Sequence, residues 1–162
     1  VVALPESDRL HLTKFLLEAP LVNKPAATVP AVPNALERKV SWQEVEDKVF
    51  QASCWYCHAD PDFARGEGGP GNTGGFGYKG RSIVLADLSG VRTGGIDRTG
   101  GRQSLTSLRN GESLLIKVLM ARHAEEAGQP VSGVTGMPLG LPPLPLEHIA
   151  LVRTWLAQGA KL

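Results

Sequence analysis

The sequence predicts a mainly α-helical domain of three to four helices, with a long glycine-rich loop and a proline-rich N-terminal arm. Apolar residues recur at helical spacing in three segments, each with a recognisable start signal. Between residues 64 and 109 this periodicity stops and glycine becomes frequent, which is typical of loops, turns or short ribbons rather than helix. We therefore expect residues 1–36 to form the arm and residues 37–162 to form one domain.

The arm has two parts. Ser7 is placed to cap a short helix that runs to about Glu18 and stops at Pro20. Prolines then recur among small residues from 21 to 34, which predicts extended chain. Two interpretations stay open: a strap lying on its own domain, or a docking arm for a partner subunit.

The first helix of the domain is predicted to start at Ser41. Ser41 and Glu44 have the spacing of a capping box, in which each side chain satisfies a free amide of the other residue. Val45 and Val49 then share one face at helical spacing. The helix leads directly into Cys54, so we expect it to hold that cysteine rigidly.

Two more helices are predicted further along the chain. One runs from near Asn110, a fair cap, to Ala127, where Gly128-Gln129-Pro130 ends it. The last runs from about Pro145 to Gln158, with the proline acceptable at the first position. Its polar face is narrow, which predicts packing on more than one side.

Residues 54–58 read Cys54-Trp55-Tyr56-Cys57-His58, and C-x-x-C-H is the attachment signature of a c-type haem. Two thiols at this spacing can each form a thioether with one haem vinyl group, and the next imidazole can bind the iron. The alternatives are a redox dithiol, which should sit near a βαβ pattern that is not visible, and half of a zinc site. The chain has no other cysteine to complete a zinc site. The spacing therefore favours one haem c bound through Cys54 and Cys57, with His58 as an iron ligand.

The sixth iron ligand decides between electron transfer and chemistry at the iron. The candidates are Met137, Met120, His123, His11 and His148. Met137 lies in an irregular stretch, Gly136-Met137-Pro138, where a loop can hold a thioether over the haem. Met120 lies among leucines and is expected to fill the core. We predict Met137 as the ligand and His123 as the next candidate.

The order helix, C-x-x-C-H, variable loop, helix, Met-Pro and final helix with Trp155 resembles a class I monohaem cytochrome c. The resemblance covers about residues 36–160 and implies a cytochrome c-like bundle around the haem, with Phe50 and Trp155 where the first and last helices cross. It also implies that a proline carbonyl a dozen residues after His58 accepts the imidazole N–H, and Pro70 stands at that distance. The arm, the long glycine-rich loop and Gly71-Asn72 after the Gly-Pro depart from a minimal member.

The charge pattern bears on partners and location. The net charge of +1 does not suggest nucleic acid, and no apolar run approaches the length of a membrane span. The resemblance implies an exported, periplasmic protein. The chain begins at Val1 with no charged-then-apolar leader, so we expect either a mature form whose signal peptide has been removed or a chain that lacks its start, and an upstream membrane anchor stays an alternative.

Seven basic and three acidic residues lie between positions 65 and 109, a local balance of 7 − 3 = +4. The basic residues are Arg65, Lys79, Arg81, Arg92, Arg98, Arg102 and Arg109. They are either scattered charges on a solvated loop, or a docking face for an acidic redox partner with one or two arginines on the haem propionates.

These observations predict electron transfer by a single haem c cycling between Fe(III) and Fe(II), and no enzymatic activity of the chain's own. The protein would act as an exported carrier or as the cytochrome subunit of a larger redox complex. The alternative is an open or labile sixth site serving catalysis or gas sensing. The last third is also similar to haem domains of larger bacterial proteins, including the periplasmic fatty-acid cis/trans isomerase. However, the chain shows no paired carboxylates and no nucleophile motif.

Overall fold

The structure is a computed structural model that describes residues 5–7, 10, 28–59, 82–97, 99–109 and 111–161. The helices are α1 (Trp42–Val45), α2 (Gln51–Ser53), α3 (Trp55–His58), α4 (Leu88–Thr93), α5 (Leu114–Glu126) and α6 (Leu146–Ala157), with a π-helical segment (Glu46–Phe50) between α1 and α2. The strands are β1 (Gly95–Ile96), β2 (Arg102–Gln103), β3 (Leu108–Arg109) and β4 (Glu112–Ser113). Strands β1 and β2 pair antiparallel, and so do β3 and β4. The described part is therefore mainly helical with little strand, as predicted.

The first helical stretch begins where the sequence indicates. The Ser41 hydroxyl accepts a hydrogen bond from the Glu44 amide at 3.2 Å. The Glu44 carboxylate binds Arg38 at 2.7 Å and Lys48 at 3.0 Å, so it is held by two cations. The π-helical turn follows, with Phe50 buried at its end, and the Cys54 amide donates to the Phe50 carbonyl at 2.8 Å. The chain thus approaches Cys54 through continuous helical turns, with a widened turn in the middle.

The core joins this stretch to α6. Phe50 and Trp155 are both fully buried, and Trp42 lies against each of them, with ring centroids 5.3 Å and 5.4 Å apart respectively. The sequence analysis named Phe50 and Trp155 but not Trp42, which belongs to the same aromatic cluster. Ile149 of α6 is also fully buried, consistent with the broad apolar face predicted for the last helix.

Residues 33–40 run along α6 and are bound to it. Arg153 donates to the Pro33 carbonyl at 2.6 Å, and the Leu36 amide donates to the Thr154 hydroxyl at 2.8 Å. The Gln158 side chain binds the Val40 amide and the Arg38 carbonyl. This part of the chain is therefore a strap on its own domain, and the predicted helix from Ser7 to Glu18 lies mostly outside the described residues.

Two local predictions were wrong. The segment from 64 to 109 was expected to lack helix, yet α4 forms because Asp87 caps it through the Gly90 amide at 2.6 Å and its apolar residues are buried. The cap of α5 is Ser113 rather than Asn110, since the β3–β4 hairpin continues to Ser113 before the helix starts. The Ser113 hydroxyl accepts from the Ile116 amide at 3.2 Å.

Across the residues that the structure describes, no helix has both the length and the apolar character needed to cross a membrane.

Candidate functional site

The Cys54–His58 segment forms one tight helical turn. The His58 amide donates to the Cys54 carbonyl at 2.9 Å, and the Ala59 amide donates to the Trp55 carbonyl at 3.0 Å. Cys54 is half-buried and packs against the core, whereas Cys57 is exposed. Neither cysteine is in a disulfide. Both thiols and the imidazole are therefore presented by one short, hydrogen-bonded piece of backbone.

A second segment holds this turn in place. The Leu85 amide donates to the His58 carbonyl at 2.8 Å, and the Trp55 indole N–H donates to the Leu85 carbonyl at 2.9 Å. Leu85 is itself buried. Trp55 and Tyr56 were expected either to cover the haem edge or simply to pack, and the bond of Trp55 to a residue thirty positions away is a contact that no local pattern indicates.

His58 lies against the same segment. Its Nδ1 is 3.3 Å from the Ile83 carbonyl oxygen, which fits a long hydrogen bond from Nδ1–H. Burial lowers the pKa of His58, and the contact with the Ile83 carbonyl only partly opposes that effect. The imidazole is therefore neutral at neutral pH, and this is the form that binds a metal.

The orienting role predicted for Pro70 is not tested, because Pro70 lies outside the described residues. Within the described part, the backbone oxygen facing Nδ1 of His58 belongs to Ile83. Nothing in the sequence marks Ile83 for this role, since it stands 25 positions from the histidine in an irregular stretch.

The two alternatives to haem attachment find little support here. Burial, and next the neighbouring Cys57, raise the pKa of the Cys54 thiol to about 12. Redox C-x-x-C motifs depend instead on a depressed thiol pKa. In the described ranges no group of three or more His, Cys, Asp or Glu side chains is placed to hold a metal ion, so a four-ligand zinc site is not assembled there.

Met137 lies in the loop of residues 136–144, which we call the methionine loop, between α5 and α6. It is half-buried, and its amide donates to the Val118 carbonyl of α5 at 2.9 Å. The preceding Gly136 is buried, and its amide donates to the Glu125 carboxylate at 2.6 Å. The side chain that the sequence analysis selected as sixth ligand therefore sits on a loop fixed to α5, rather than on a helix.

The other ligand candidates have different surroundings. Nε2 of His123 lies 2.9 Å from the Leu144 carbonyl, which gives this histidine a structural role at the end of the methionine loop. Met120 packs against the core and lines a cavity of about 560 Å³ beside α5. His148 is half-buried in the first turn of α6, and His11 lies outside the described residues.

The cavity beside Met120 is separate from the predicted site. Its lining includes Val29, Leu114 and Met120, but none of Cys54, Cys57, His58 and Met137. The candidate site is therefore defined by the turn that carries both thiols and His58, and not by this cavity. The cavity adds no argument for Met120 as an iron ligand, because a methionine in an apolar lining is ordinary core filling.

Of the seven basic residues between 65 and 109, the structure describes the side chains of two, Arg92 and Arg102. Arg92 donates twice to the Ala160 carbonyl, at 2.7 and 3.2 Å, so this guanidinium fastens the end of α6. Arg102 is exposed on β2. The side chains of the remaining five lie outside the described residues, and so does most of the proposed docking face.

A comparison of the chain with protein-family models, with curated proteins and with solved structures finds no match. Function is therefore inferred from the residues themselves. These are two unbridged thiols and a neutral imidazole on one turn, and a methionine on a loop fixed to α5.

Proposed function

We propose that this chain is an electron-transfer protein that carries one haem c, attached through Cys54 and Cys57. The observation that carries the proposal is the turn at residues 54–58, where two unbridged thiols precede an imidazole whose Nδ1 lies 3.3 Å from the Ile83 carbonyl oxygen. When bound, the haem supplies a reversible Fe(III)/Fe(II) couple. The chain's part is to anchor it, to provide the axial ligands and to limit the access of water.

His58 is the proposed proximal ligand. With Nδ1–H directed at the Ile83 carbonyl, the lone pair that would bind the iron is on Nε2. A hydrogen-bonded partner of this kind fixes the ring and raises the basicity of the ligating nitrogen. The Trp55 and Leu85 bonds hold the turn that carries the ring, which limits rearrangement between the two oxidation states.

Met137 is the proposed sixth ligand, in a cytochrome c-like arrangement of α1–α3, α5 and α6. A neutral thioether favours the reduced iron and raises the reduction potential relative to a second histidine. It also leaves no open coordination position, so substrates and gases are excluded. The chain is accordingly proposed as an exported carrier, or as the cytochrome subunit of a redox complex, rather than as an enzyme.

The first experiment is to express the chain in a periplasm with a haem-attachment system and to record the ferric spectrum. We expect covalent haem that resists acid–acetone extraction, and the weak red absorption of methionine sulfur bound to Fe(III). Met137→Ala should abolish that band and change the reduction potential, whereas the control Met120→Leu should preserve both. A high-spin spectrum of the parent protein would support the open-iron alternative, and failure to attach haem would overturn the proposal.

A further inference from the structure

We propose that Glu125 is a positioning residue for Met137, because its carboxylate fixes the methionine loop on α5 and so sets how firmly the thioether is held at the iron. This inference rests on the proposed function. The role of Glu125 follows from the contacts between α5 and the loop.

The contacts begin with the carboxylate itself. One oxygen of Glu125 accepts the Gly136 amide at 2.6 Å, and the other accepts Arg122 Nη1 at 3.2 Å. The Arg122 and Glu125 side chains are only 18% and 24% exposed, so solvent screens this pair less than it screens a surface ion pair. A short hydrogen bond to an ionised acceptor is about twice as strong as a neutral one.

Arg122 extends the connection to the other side of Met137. Its Nε donates to the Leu141 carbonyl at 2.7 Å. The ion pair of Arg122 and Glu125 therefore holds the loop at residues 136 and 141, with the proposed ligand between the two attachments. The bond from the Met137 amide to Val118 adds a third attachment to the same helix.

The loop has no room to move closer to α5. A Cβ atom at Gly136 would lie 2.6 Å from the Arg122 backbone and 2.5 Å from the Glu125 carboxylate. The backbone of the loop is thus already in close contact with the helix, and the polar attachments resist motion away from it. Together they fix the loop backbone on both sides of Met137 against α5.

A fixed loop matters because an external ligand can bind the iron only while the methionine is displaced. The apparent affinity for that ligand is proportional to the fraction of molecules in the open state. Loss of the Gly136–Glu125 bond should increase that fraction. We expect Glu125→Ala to bind imidazole about tenfold more tightly than the parent protein, which corresponds to ~1.4 kcal/mol. Glu125→Gln keeps an acceptor oxygen, so we expect a smaller increase in imidazole affinity.

The test is imidazole titration of the ferric holoprotein, with hydrogen exchange at the Gly136 and Met137 amides measured in parallel. Glu126→Gln is the matched control, since it removes a charge 3.6 Å from Arg122 while leaving the Gly136 bond intact. We expect faster exchange and tighter imidazole binding in Glu125→Ala, and parent-like values in the control. Glu125→Gln keeps the test decisive if Glu125→Ala does not fold.

Two results would overturn the positioning role while leaving the proposed function standing. One is a parent protein with methionine ligation in which Glu125→Ala and Glu125→Gln leave imidazole affinity unchanged. The other is an equal gain in Glu126→Gln, which would indicate a general charge effect. A parent protein without the methionine–iron band would instead defeat the proposed ligation, and the role of Glu125 with it.

Discussion

Substitution of Gly136 by alanine is the sharpest steric perturbation that the described residues offer near the proposed ligand. The backbone at Gly136 is not in the left-handed region, so alanine is acceptable there as far as φ is concerned. The obstacle is space, because the added methyl group would lie 2.6 Å from both the amide nitrogen and the Cα atom of Arg122. Both are backbone atoms of a helix and cannot rotate away.

The size of the displacement follows from that distance. Ordinary contact of a Cβ atom begins at 3.4 Å, so the loop must move by about 3.4 − 2.6 = 0.8 Å relative to α5. Overpacking of this kind costs about 1–3 kcal/mol. The Gly136 bond to Glu125 is 2.6 Å long, and a movement of 0.8 Å would stretch it to a length at which little of its strength remains.

We therefore expect Gly136→Ala to weaken or abolish the methionine–iron band, and to raise imidazole affinity at least as much as loss of the Glu125 carboxylate does. Gly133→Ala, in the same segment between α5 and α6, is the control. Gly133 has φ +72° and open space around its Cβ position. That change costs about 1–2 kcal/mol of backbone strain without a steric clash. Equal loss of the band in both variants, or its full retention in Gly136→Ala, would refute the steric argument.

Three further predictions concern stability. Arg38, and next Lys48, lower the pKa of Glu44 to about 2, so the stability that this carboxylate contributes is present above the ordinary value of 4.5 and is lost as pH falls towards 2. Glu44→Gln should lower the free energy of unfolding by about 1 kcal/mol at pH 7. In chemical denaturation, the difference in stability between the parent and the variant should vanish near pH 2. Thr154→Val leaves the Leu36 amide without its acceptor, so we expect a loss of about 1–3 kcal/mol and faster proteolysis before residue 40. Trp55→Phe removes the bond to the Leu85 carbonyl, which should cost about 1–3 kcal/mol in thermal unfolding, and a parent-like midpoint would contradict the role assigned to the indole.

The parts of the fold that the sequence analysis predicted are those with local signals. Ser41 caps its helix through the Glu44 amide, whereas the Glu44 side chain of the predicted capping box binds Arg38 and Lys48, and α6 starts directly after Pro145. The frequent glycines led to the prediction of a loop where α4 lies. The helix forms because burial of Leu88 and Val91 outweighs the low helical propensity of Gly90. The start of α5 was misplaced because hairpin pairing at Ser113 is a tertiary feature that cap preferences do not report.

In the candidate site too, residues with a local sequence signal could be predicted and residues defined by distant contacts could not. Cys54, Cys57 and His58 could be recognised because the motif is contiguous. Ile83 and Glu125 could not be recognised, since each acquires its role from packing against a segment distant in sequence. Bound haem, methionine ligation and electron transfer stay predictions that the experiments above address.

The strap of residues 33–40 also determines where the chain enters the described domain relative to α6. Gln158, just after α6, accepts from the Val40 amide at 3.0 Å and donates to the Arg38 carbonyl at 2.8 Å. The segment entering the domain and the segment leaving it are therefore neighbours, as in many domains that tolerate circular permutation. A permuted chain, with residue 160 joined to residue 38 by a short linker and new ends opened at the Gly133 turn, should keep the same core while losing the bonds from Pro33 and Leu36 to α6. It would carry any fused module at the turn that follows α5 instead.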